Sequence, residues 1–316
     1  MQTINTEPVS RPRSLPKRAW RASRHSLLAA LLALAGIVPG WAATFPALVD
    51  PASQEHHVGK IVFVELVTPD LPASERFYAG LLGWTFRDVQ VEGTRYAEAS
   101  VDGHPVAGLI HKDVPVGVRR QPAWLSFISV RDVDAVKAAA LSNGAKVLME
   151  PRDVPNRGRE AIFADPQGAV FAVLASTSGD PPDTLADSGE WIWSSLFTRD
   201  PDKGAAFYQT LFDYEVFELP SVGSGQHVIL ASDDYARASA NVLPADRPLA
   251  HAHWLNYVRV DDAVKMSAKV VALGGRVLVE PRTDRHGGRV AVVADTQGAP
   301  FGLLEWTEAD SKEVTK

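Results

Sequence analysis

The chain has 316 residues, of which 46% are hydrophobic, and a formal net charge of −6 at pH 7. This length and apolar content suffice for two domains with real cores, and the acidic balance argues against nucleic acid as a partner, because phosphate backbones are repelled. The sequence has no cysteine, which excludes disulfides and a lipid-modified cysteine at the N-terminus.

Residues 1–42 predict an export signal. Six basic residues and an apolar run of 13 residues, Ser26–Val38, precede the small residues of a cleavage site at 39–43. The run is short for a membrane span, so we expect cleavage near Ala43, a periplasmic or secreted protein and no stable membrane span; an uncleaved anchor is the alternative. Cleavage would remove the six basic residues and Glu7, which leaves 26 Lys+Arg against 37 Asp+Glu and a net charge near −11.

Residues 59–176 and 189–307 carry the same pattern twice, at an offset of 130. A period this long, present only twice, predicts two duplicated domains related by a pseudo-twofold axis. The copies align without a gap, so equal loop lengths are expected. Residues 43–58 form a lead-in segment, 177–188 a linker rich in Ser, Asp, Pro and Gly, and 308–316 a C-terminal tail. The matches include Phe77-Tyr78 with Phe207-Tyr208, Trp124 with Trp254, and Asp165 with Asp295.

Each copy is predicted to contain a strand, a helix, two or three strands, a second helix and further strands. Residues 61–67 alternate and are rich in β-branched side chains, which favours a strand. Asp70 is expected to begin the first helix as its cap and Gly83 to end it. A second helix is predicted over about 132–142, and a hairpin turns at 165–168. The fold class is therefore α+β.

Three segments, each present in both copies, resemble the vicinal oxygen chelate superfamily, which includes glyoxalase I, bleomycin-resistance proteins and extradiol dioxygenases. They are VELVTPDLPASERFYAGLLGW (64–84), SVRDVDAVKAAALSNGAKVL (129–148) and FADPQGAVFAVL (163–174). The resemblance implies two tandem βαβββ modules that form a shared cleft. It implies no single reaction, since such folds carry lyases, isomerases, dioxygenases and drug-binding proteins.

The resemblance also implies where metal ligands would lie in each copy. One position is on the opening strand, one on the middle strand and one four residues after the hairpin glycine. All six positions are apolar, whereas a divalent metal needs His, carboxylate or Cys ligands; we therefore expect neither a metal nor a cofactor. His251 and His253 form an alternative ligand pair without an evident third partner. The six positions are Phe63, Leu125, Ala172, Trp193, Leu255 and Gly302.

Strand alternation predicts which side chains share the cleft with these positions, because side chains on one face repeat every two residues. The result is an apolar, aromatic pocket with few polar groups, typical of a site for a small apolar or aromatic molecule. An internal Glu65–Arg259 ion pair, with no ligand, is the alternative. The predicted ligand-binding residues are Phe63, Glu65, Leu125, Phe127, Trp193, Ser195, Leu255, Tyr257 and Arg259.

Two functional hypotheses follow. The first is an exported, metal-free protein that binds a small molecule in the cleft. The second is an enzyme, either a lyase or isomerase with Glu65 as general base, or a dioxygenase with non-standard metal ligands. A monomer with an internal pseudo-twofold and a homodimer are both compatible with the sequence. Arg159 and Arg289, at matched positions, are expected to be structural and to pair with Glu150 and Glu280.

Overall fold

The computed structural model describes residues 45–307, apart from 92, 114–121, 219–226, 244–250 and 285–286. The predicted signal segment and the C-terminal tail lie outside the described residues. None of the described helices is long and apolar enough to cross a membrane.

The two copies form two modules with the same order of elements. Module 1 contains β1 Ile61–Thr68, α1 Leu71–Leu82, β2 Thr85–Val91, β3 Thr94–Val101, β4 His104–His111, β5 Ala123–Ser129, α2 Val133–Ser142, β6 Lys146–Val154, β7 Gly158–Ala164 and β8 Val170–Ser176. Module 2 contains β9 Trp191–Thr198, α3 Pro201–Phe212, β10 Glu215–Glu218, β11 His227–Ser232, β12 Tyr235–Val242, β13 His253–Arg259, α4 Ala263–Ala272, β14 Arg276–Thr283, β15 Arg289–Ala294 and β16 Pro300–Leu304.

Each module is one eight-stranded mixed sheet. The strand order is β2-β3-β4-β1-β5-β8-β7-β6 in module 1, and module 2 repeats it. The α+β class and the two tandem modules are confirmed. Each module holds the βαβββ unit twice, and the first strands of the two units pair antiparallel at the centre of the sheet.

Local signals in the sequence account for the ends of the helices. The Asp70 carboxylate accepts a hydrogen bond from the backbone of Ala73, and Gly83 ends α1 with a φ of 77°, a left-handed conformation that glycine adopts without strain. In module 2, Asp200 caps α3 and Pro201 is its first residue.

The expectation of equal loop lengths is wrong for the middle of each module. On β1, Glu65 lies opposite Gly108 of β4, whereas its counterpart Ser195 lies opposite Ser239 of β12, so the offset there is 131. Relative to module 1, module 2 has one extra residue before β11 and one residue fewer before β13. As a result, the structural equivalents of Tyr96 and Gly108 are His227 and Ser239.

The predicted pairings of Arg159 are also wrong. Its guanidinium contacts Asp134 at 2.8 Å and Asp153 at 3.0 Å, and Glu150 instead pairs with Lys137 at 2.6 Å. Asp153 lies opposite Arg159 on β6, whereas Asp134 and Lys137 lie on α2, and sequence spacing carries no information about these surface contacts.

The helix-bearing faces of the two sheets pack against each other around a pseudo-twofold axis. One buried cluster joins the second unit of module 1 to the first unit of module 2; the other joins the two remaining units. Tyr78 donates a hydrogen bond to Asp295 at 3.2 Å, and Tyr208 donates to Asp165 at the same distance. Such reciprocal contacts are typical of an isologous interface.

The axis itself passes between matched residues. Ser126 donates to Asn256, its counterpart 130 residues later, at 3.0 Å. Trp84 and its counterpart Tyr214 each donate to a backbone oxygen of the opposite module, at Gly189 and Gly59 respectively. Many of the residues that repeat in the sequence therefore form the contact between the modules.

Candidate functional site

Most of the predicted site residues lie on the sheet faces turned away from the interface between the modules. We call these the outer face of module 1 and the outer face of module 2. The alternation argument is confirmed here, because Leu125, Phe127, Ala172 and Leu174 form a cluster within module 1. The corresponding cluster of module 2 contains Leu255, Tyr257, Leu304 and the half-buried Trp193 and Phe197.

The structure therefore divides the predicted site between two separate faces. Glu65 and Arg259 do not meet: Arg259 Nη1 donates to the backbone oxygen of Ala186 in the linker at 2.6 Å. The ionic neighbours of Glu65 all belong to module 1. The predicted Glu65–Arg259 ion pair is wrong because the two side chains lie on different sheets, each facing away from the other.

The outer face of module 1 carries a charged cluster around Glu65. Burial, and next the charge of Glu160, raise the pKa of Glu65 to about 7, although Arg157, Arg152 and a hydrogen bond with Tyr96 oppose the shift. A carboxyl group with such a pKa can exchange protons near neutrality.

The basic residues of this cluster are fixed by contacts of their own. The buried Arg157 guanidinium lies 4.2 Å from the ring centroid of Phe63, a cation–π contact. Arg152 pairs with the buried Glu160 at 2.7 Å.

The lead-in segment covers this face. The Phe45 ring meets the Tyr96 ring edge-on, with centroids 4.9 Å apart, and Leu48 packs against the apolar cluster that includes Leu125 and Phe127. The sequence offered no signal for this contact, because it joins residues far apart in the chain.

The outer face of module 2 lacks the carboxylates that module 1 carries, although Arg282 lies close enough to affect Tyr257. Ser195 stands where module 1 has Glu65, and its hydroxyl lies 2.9 Å from that of Ser239. Trp193 donates to Ser239 at 3.2 Å. Burial raises the pKa of Tyr257 to about 12, so the phenol stays protonated.

The residues at the family's ligand positions do not fit a metal ion. In module 1, the Phe63 and Phe127 rings lie side by side, with centroids 5.8 Å apart. In module 2, a Cβ on Gly302 would come within 1.9 Å of the Tyr257 ring, so that ring fills the space a ligating side chain would need. Across the described part of the chain, no group of three His, Cys, Asp or Glu residues could hold a metal.

The histidine pair does not supply an alternative metal site. The His253 ring stacks on Phe197, with centroids 5.5 Å apart, and its Nδ1 lies 2.7 Å from the backbone oxygen of His251. We therefore derive no chemistry through a metal for this chain.

A cavity of about 270 Å³ lies between the modules, beside the linker. We call it the inter-module cavity. Of the nine predicted site residues, only Trp193 lines it. Its other walls come from the start of β1 in module 1, from the linker, from the start of β12 and from two further tryptophans, Trp191 and Trp306. All three indoles are half-buried. The clustered tryptophans at 191 and 193 were the one sequence signal that could have pointed to it.

Charged groups at one wall of the inter-module cavity are already paired. Asp183 of the linker accepts from Lys60 at 2.9 Å and from Arg237 at 2.5 Å. Burial alone would raise the pKa of Asp183, but these hydrogen bonds lower it below its usual value. Lys60 also donates to the backbone oxygens of Pro181 and Pro182 at 2.7 Å. The charges hold the linker in place and leave a wall that suits a neutral ligand.

Comparison with known proteins identifies the family. The profile of the glyoxalase/bleomycin resistance protein/dioxygenase superfamily matches residues 60–173 and 192–303. The chain belongs to this superfamily.

The relatives are consistent with that assignment. A Mycobacterium tuberculosis protein named "Putative glyoxylase CFP32" is 32% identical over 259 residues, which cover 81% of this chain and 98% of the relative. The anthracycline biosynthesis protein DauV of Streptomyces sp. is 31% identical over 265 residues, 79% of this chain and 94% of the relative.

Solved structures show the same fold. The Mn(II)-bound glyoxalase from Novosphingobium aromaticivorans superposes with a TM-score of 0.55 at 18% identity, over 79% of this chain and 83% of that one. The 2,3-dioxygenase LapB from Pseudomonas sp. KL28 has a TM-score of 0.55 at 11% identity, over 79% and 93%.

Proposed function

We propose that this protein is exported and binds a small, neutral, partly aromatic molecule without the family's metal. The observation that carries the proposal is the inter-module cavity, where Trp191, Trp193 and Trp306 lie around a space of about 270 Å³. An engineered cavity of about 150 Å³ takes up benzene, and pockets for drug-sized ligands span roughly 300–1,000 Å³. The volume therefore suits a molecule of two or three fused rings.

The polar atoms in the walls favour a neutral ligand. Trp191 donates to the backbone of Val106 at 3.1 Å and Trp193 donates to Ser239, while Lys60 and Arg237 are paired with Asp183. A charged ligand would have to break one of these bonds to be neutralised, and an unpaired buried charge is costly. Affinity would come from apolar contact and from ring stacking on indoles.

Binding can be tested with N-phenyl-1-naphthylamine, a neutral fluorescent probe that carries a naphthalene and a phenyl ring. We expect saturable binding of one equivalent, with quenching of tryptophan emission. Trp193→Ala should weaken binding by up to about tenfold, since an aromatic pair contributes about 0.5–1.5 kcal/mol. The control is Phe197→Ala, a half-buried aromatic on the outer face of module 2 that does not line the cavity. Equal effects of the two substitutions would refute the site.

Export is a separate part of the proposal and rests on residues 1–42. The mass of the protein purified from the medium or periplasm of its own host should correspond to a chain beginning near Ala43. Recovery of the uncleaved chain from the cytosol would contradict export and leave the binding proposal untouched.

An enzymatic alternative is favoured by one observation, the Glu65 carboxyl with its pKa of about 7 next to the Tyr96 hydroxyl. Relatives named as a glyoxylase and as an anthracycline biosynthesis protein also support it. A screen of dicarbonyl and aromatic compounds for turnover, run with wild type and Glu65→Gln, tests this alternative. Turnover that the substitution abolishes in a folded protein would establish Glu65 as the base, and turnover that survives would exclude it.

A further inference from the structure

The first residues of the lead-in segment occupy the outer face of module 1 much as a ligand would. Phe45 and Leu48 are both half-buried. Phe45 packs against Val89, Tyr96 and Ile110, and Leu48 packs against the cluster around Leu125 and Phe127. An aromatic ring and an aliphatic side chain thus fill this end of the face.

Polar groups beneath this cover exceed what a purely structural core needs. Tyr96, which carries the Phe45 ring, also hydrogen-bonds Glu65. Glu160 and Arg157 lie close enough to shift the pKa of Glu65 and are 7% and 4% exposed. Burial of several charged groups costs free energy even when they are paired. A recognition site that is temporarily covered explains their presence better than packing does.

The cover is held differently along its length. Residues 53–57 are tied to the linker by four hydrogen bonds. Ser53 N donates to Ser178 O at 2.9 Å, Ser53 Oγ to Asp180 O at 3.4 Å, Asp180 N to Glu55 O at 2.8 Å, and His57 N to the Asp180 carboxylate at 2.7 Å. Residues 45–49 depend on the two apolar side chains and on a bond from Val49 N to Ser178 Oγ at 3.0 Å. Residues 50–55 are exposed.

This arrangement allows the tip of the segment to leave while its root stays attached. Segments with few buried contacts open at a small fraction of the global unfolding free energy. The linker precedes module 2 as the lead-in segment precedes module 1, but its contacts differ. Its residues Thr184, Leu185 and Ala186 line the inter-module cavity.

We propose that the outer face of module 1 is a second binding site and that residues 45–49 occupy it as a displaceable internal ligand. The external ligand is a small molecule with an aromatic ring, which takes the place of Phe45 against Tyr96. It also carries an N–H or O–H donor directed at the Glu65 carboxyl. This site is separate from the inter-module cavity and does not depend on ligand binding there.

The test is the double substitution Phe45→Ala and Leu48→Ala, with Ala52→Ser on the exposed part of the same segment as the control. The probe is again N-phenyl-1-naphthylamine, whose ring and single N–H match the proposed ligand. We expect the double variant to bind one equivalent more than wild type, and the control to bind as wild type does. A folded double variant with unchanged stoichiometry would overturn the proposal.

Competition by the displaced segment provides a second measurement. A peptide with the sequence of residues 45–50 should release the additional equivalent from the double variant, and no release would overturn the role of this segment as the occupant. If the double variant does not fold, Phe45→Leu, which keeps an apolar side chain, should still raise the affinity of the second equivalent above that in wild type. An unchanged affinity in that variant would count against the proposal.

The two proposals fail in distinguishable ways. Adding Trp193→Ala to the double variant should weaken only the equivalent in the inter-module cavity. Adding Glu65→Leu should weaken only the new equivalent, by about tenfold to a hundredfold, because this substitution removes a hydrogen bond to a charged group. Unchanged affinity after Glu65→Leu would overturn the assignment of Glu65 as the acceptor.

Discussion

The contact between the modules and the outer faces of the sheets have diverged to very different extents. At the contact, Tyr78–Asp295 and Tyr208–Asp165 are chemically the same and have the same length of 3.2 Å. On the outer faces, Glu65 corresponds to Ser195. A contact between the copies constrains both of them, because each residue must fit a partner in the other module. The outer faces carry no such constraint, so each can acquire its own ligand.

The difference between the outer faces is mainly one of charge. Two more carboxylates on module 1, Glu98 and Glu160, correspond by strand register to Ile229 and Val290 on module 2. Module 1 can therefore hold a polar group of a ligand or exchange a proton, while module 2 offers apolar and aromatic surface. The duplication has left one face with buried carboxylates and one face without them on a shared framework.

The largest expected effect tests whether the Tyr208–Asp165 and Tyr78–Asp295 contacts contribute equally to stability. The Asp165 carboxylate accepts from the backbones of Gln167 and Ala169, both at 2.8 Å, as well as from Tyr208. Asp165→Ala leaves these donors buried without a partner, so urea unfolding should show a loss of about 3 kcal/mol.

Asp295→Ala should lose the same amount, because Asp295 makes the matching bonds to Gln297, Ala299 and Tyr78. The control is Asp153→Ala on the exposed surface, which should leave the unfolding midpoint unchanged. Clearly unequal losses at positions 165 and 295 would show that the contact is not equivalent in its two halves.

An intermediate effect tests how tightly module 2 fills its outer face. A Cβ at position 302 would come within 1.9 Å of the Tyr257 ring, so Gly302→Ala should cost about 2–3 kcal/mol through overpacking. Its counterpart in module 1, Ala172, already has a Cβ in the buried cluster. Ala172→Gly should therefore cost only about 1 kcal/mol. The free energies of unfolding compare the two. An unchanged free energy of unfolding for Gly302→Ala would mean that the Tyr257 ring can move aside and free the family's ligand position.

The smallest expected effect tests the ionisation of Glu65 in module 1 through the pH dependence of stability. The folded-state pKa of Glu65, about 7, lies above the ordinary value of 4.5. The stability that protonated Glu65 contributes is therefore fully present below pH 4.5 and is lost as the pH rises through 7. Glu65→Gln removes this loss and should stabilise the protein at pH 8 by about 2 kcal/mol, relative to its effect at pH 4.5.

Ser195→Ala in module 2 is the matched control and should show no such dependence on pH. Urea unfolding at the two pH values decides the matter. A loss of stability at pH 8 from Glu65→Gln would mean that the ionised carboxylate is firmly paired and that its folded-state pKa is not raised.

Much of the architecture could be predicted from local patterns. The start of α1 after Asp70, its end at Gly83 and the period-two alternation on β1 and β5 all depend on neighbouring residues. The exception is the spacing within each module, where an insertion before β11 is balanced by a deletion before β13. Compensating changes of this kind leave the offset at 130 on both sides. The repeated residues on either side therefore do not reveal them.

The candidate site could be predicted only in part. Alternation placed Phe63, Glu65 and Leu125 on one face because a strand turns successive side chains to opposite sides. It could not say which module's residues face each other. That depends on the helix-bearing faces packing together, through contacts such as Tyr78–Asp295 between residues 217 positions apart.

The sequence by itself determined the duplication, the α+β class and the set of side chains on each sheet face, because these follow from short-range periodicity and capping. Tertiary structure decided that the two faces point away from each other, that Glu65 lies among Tyr96, Arg157 and Glu160 rather than opposite Arg259, and that the lead-in segment covers it. The physical reason is that burial and charge pairing depend on the summed packing of distant elements, which no local pattern encodes.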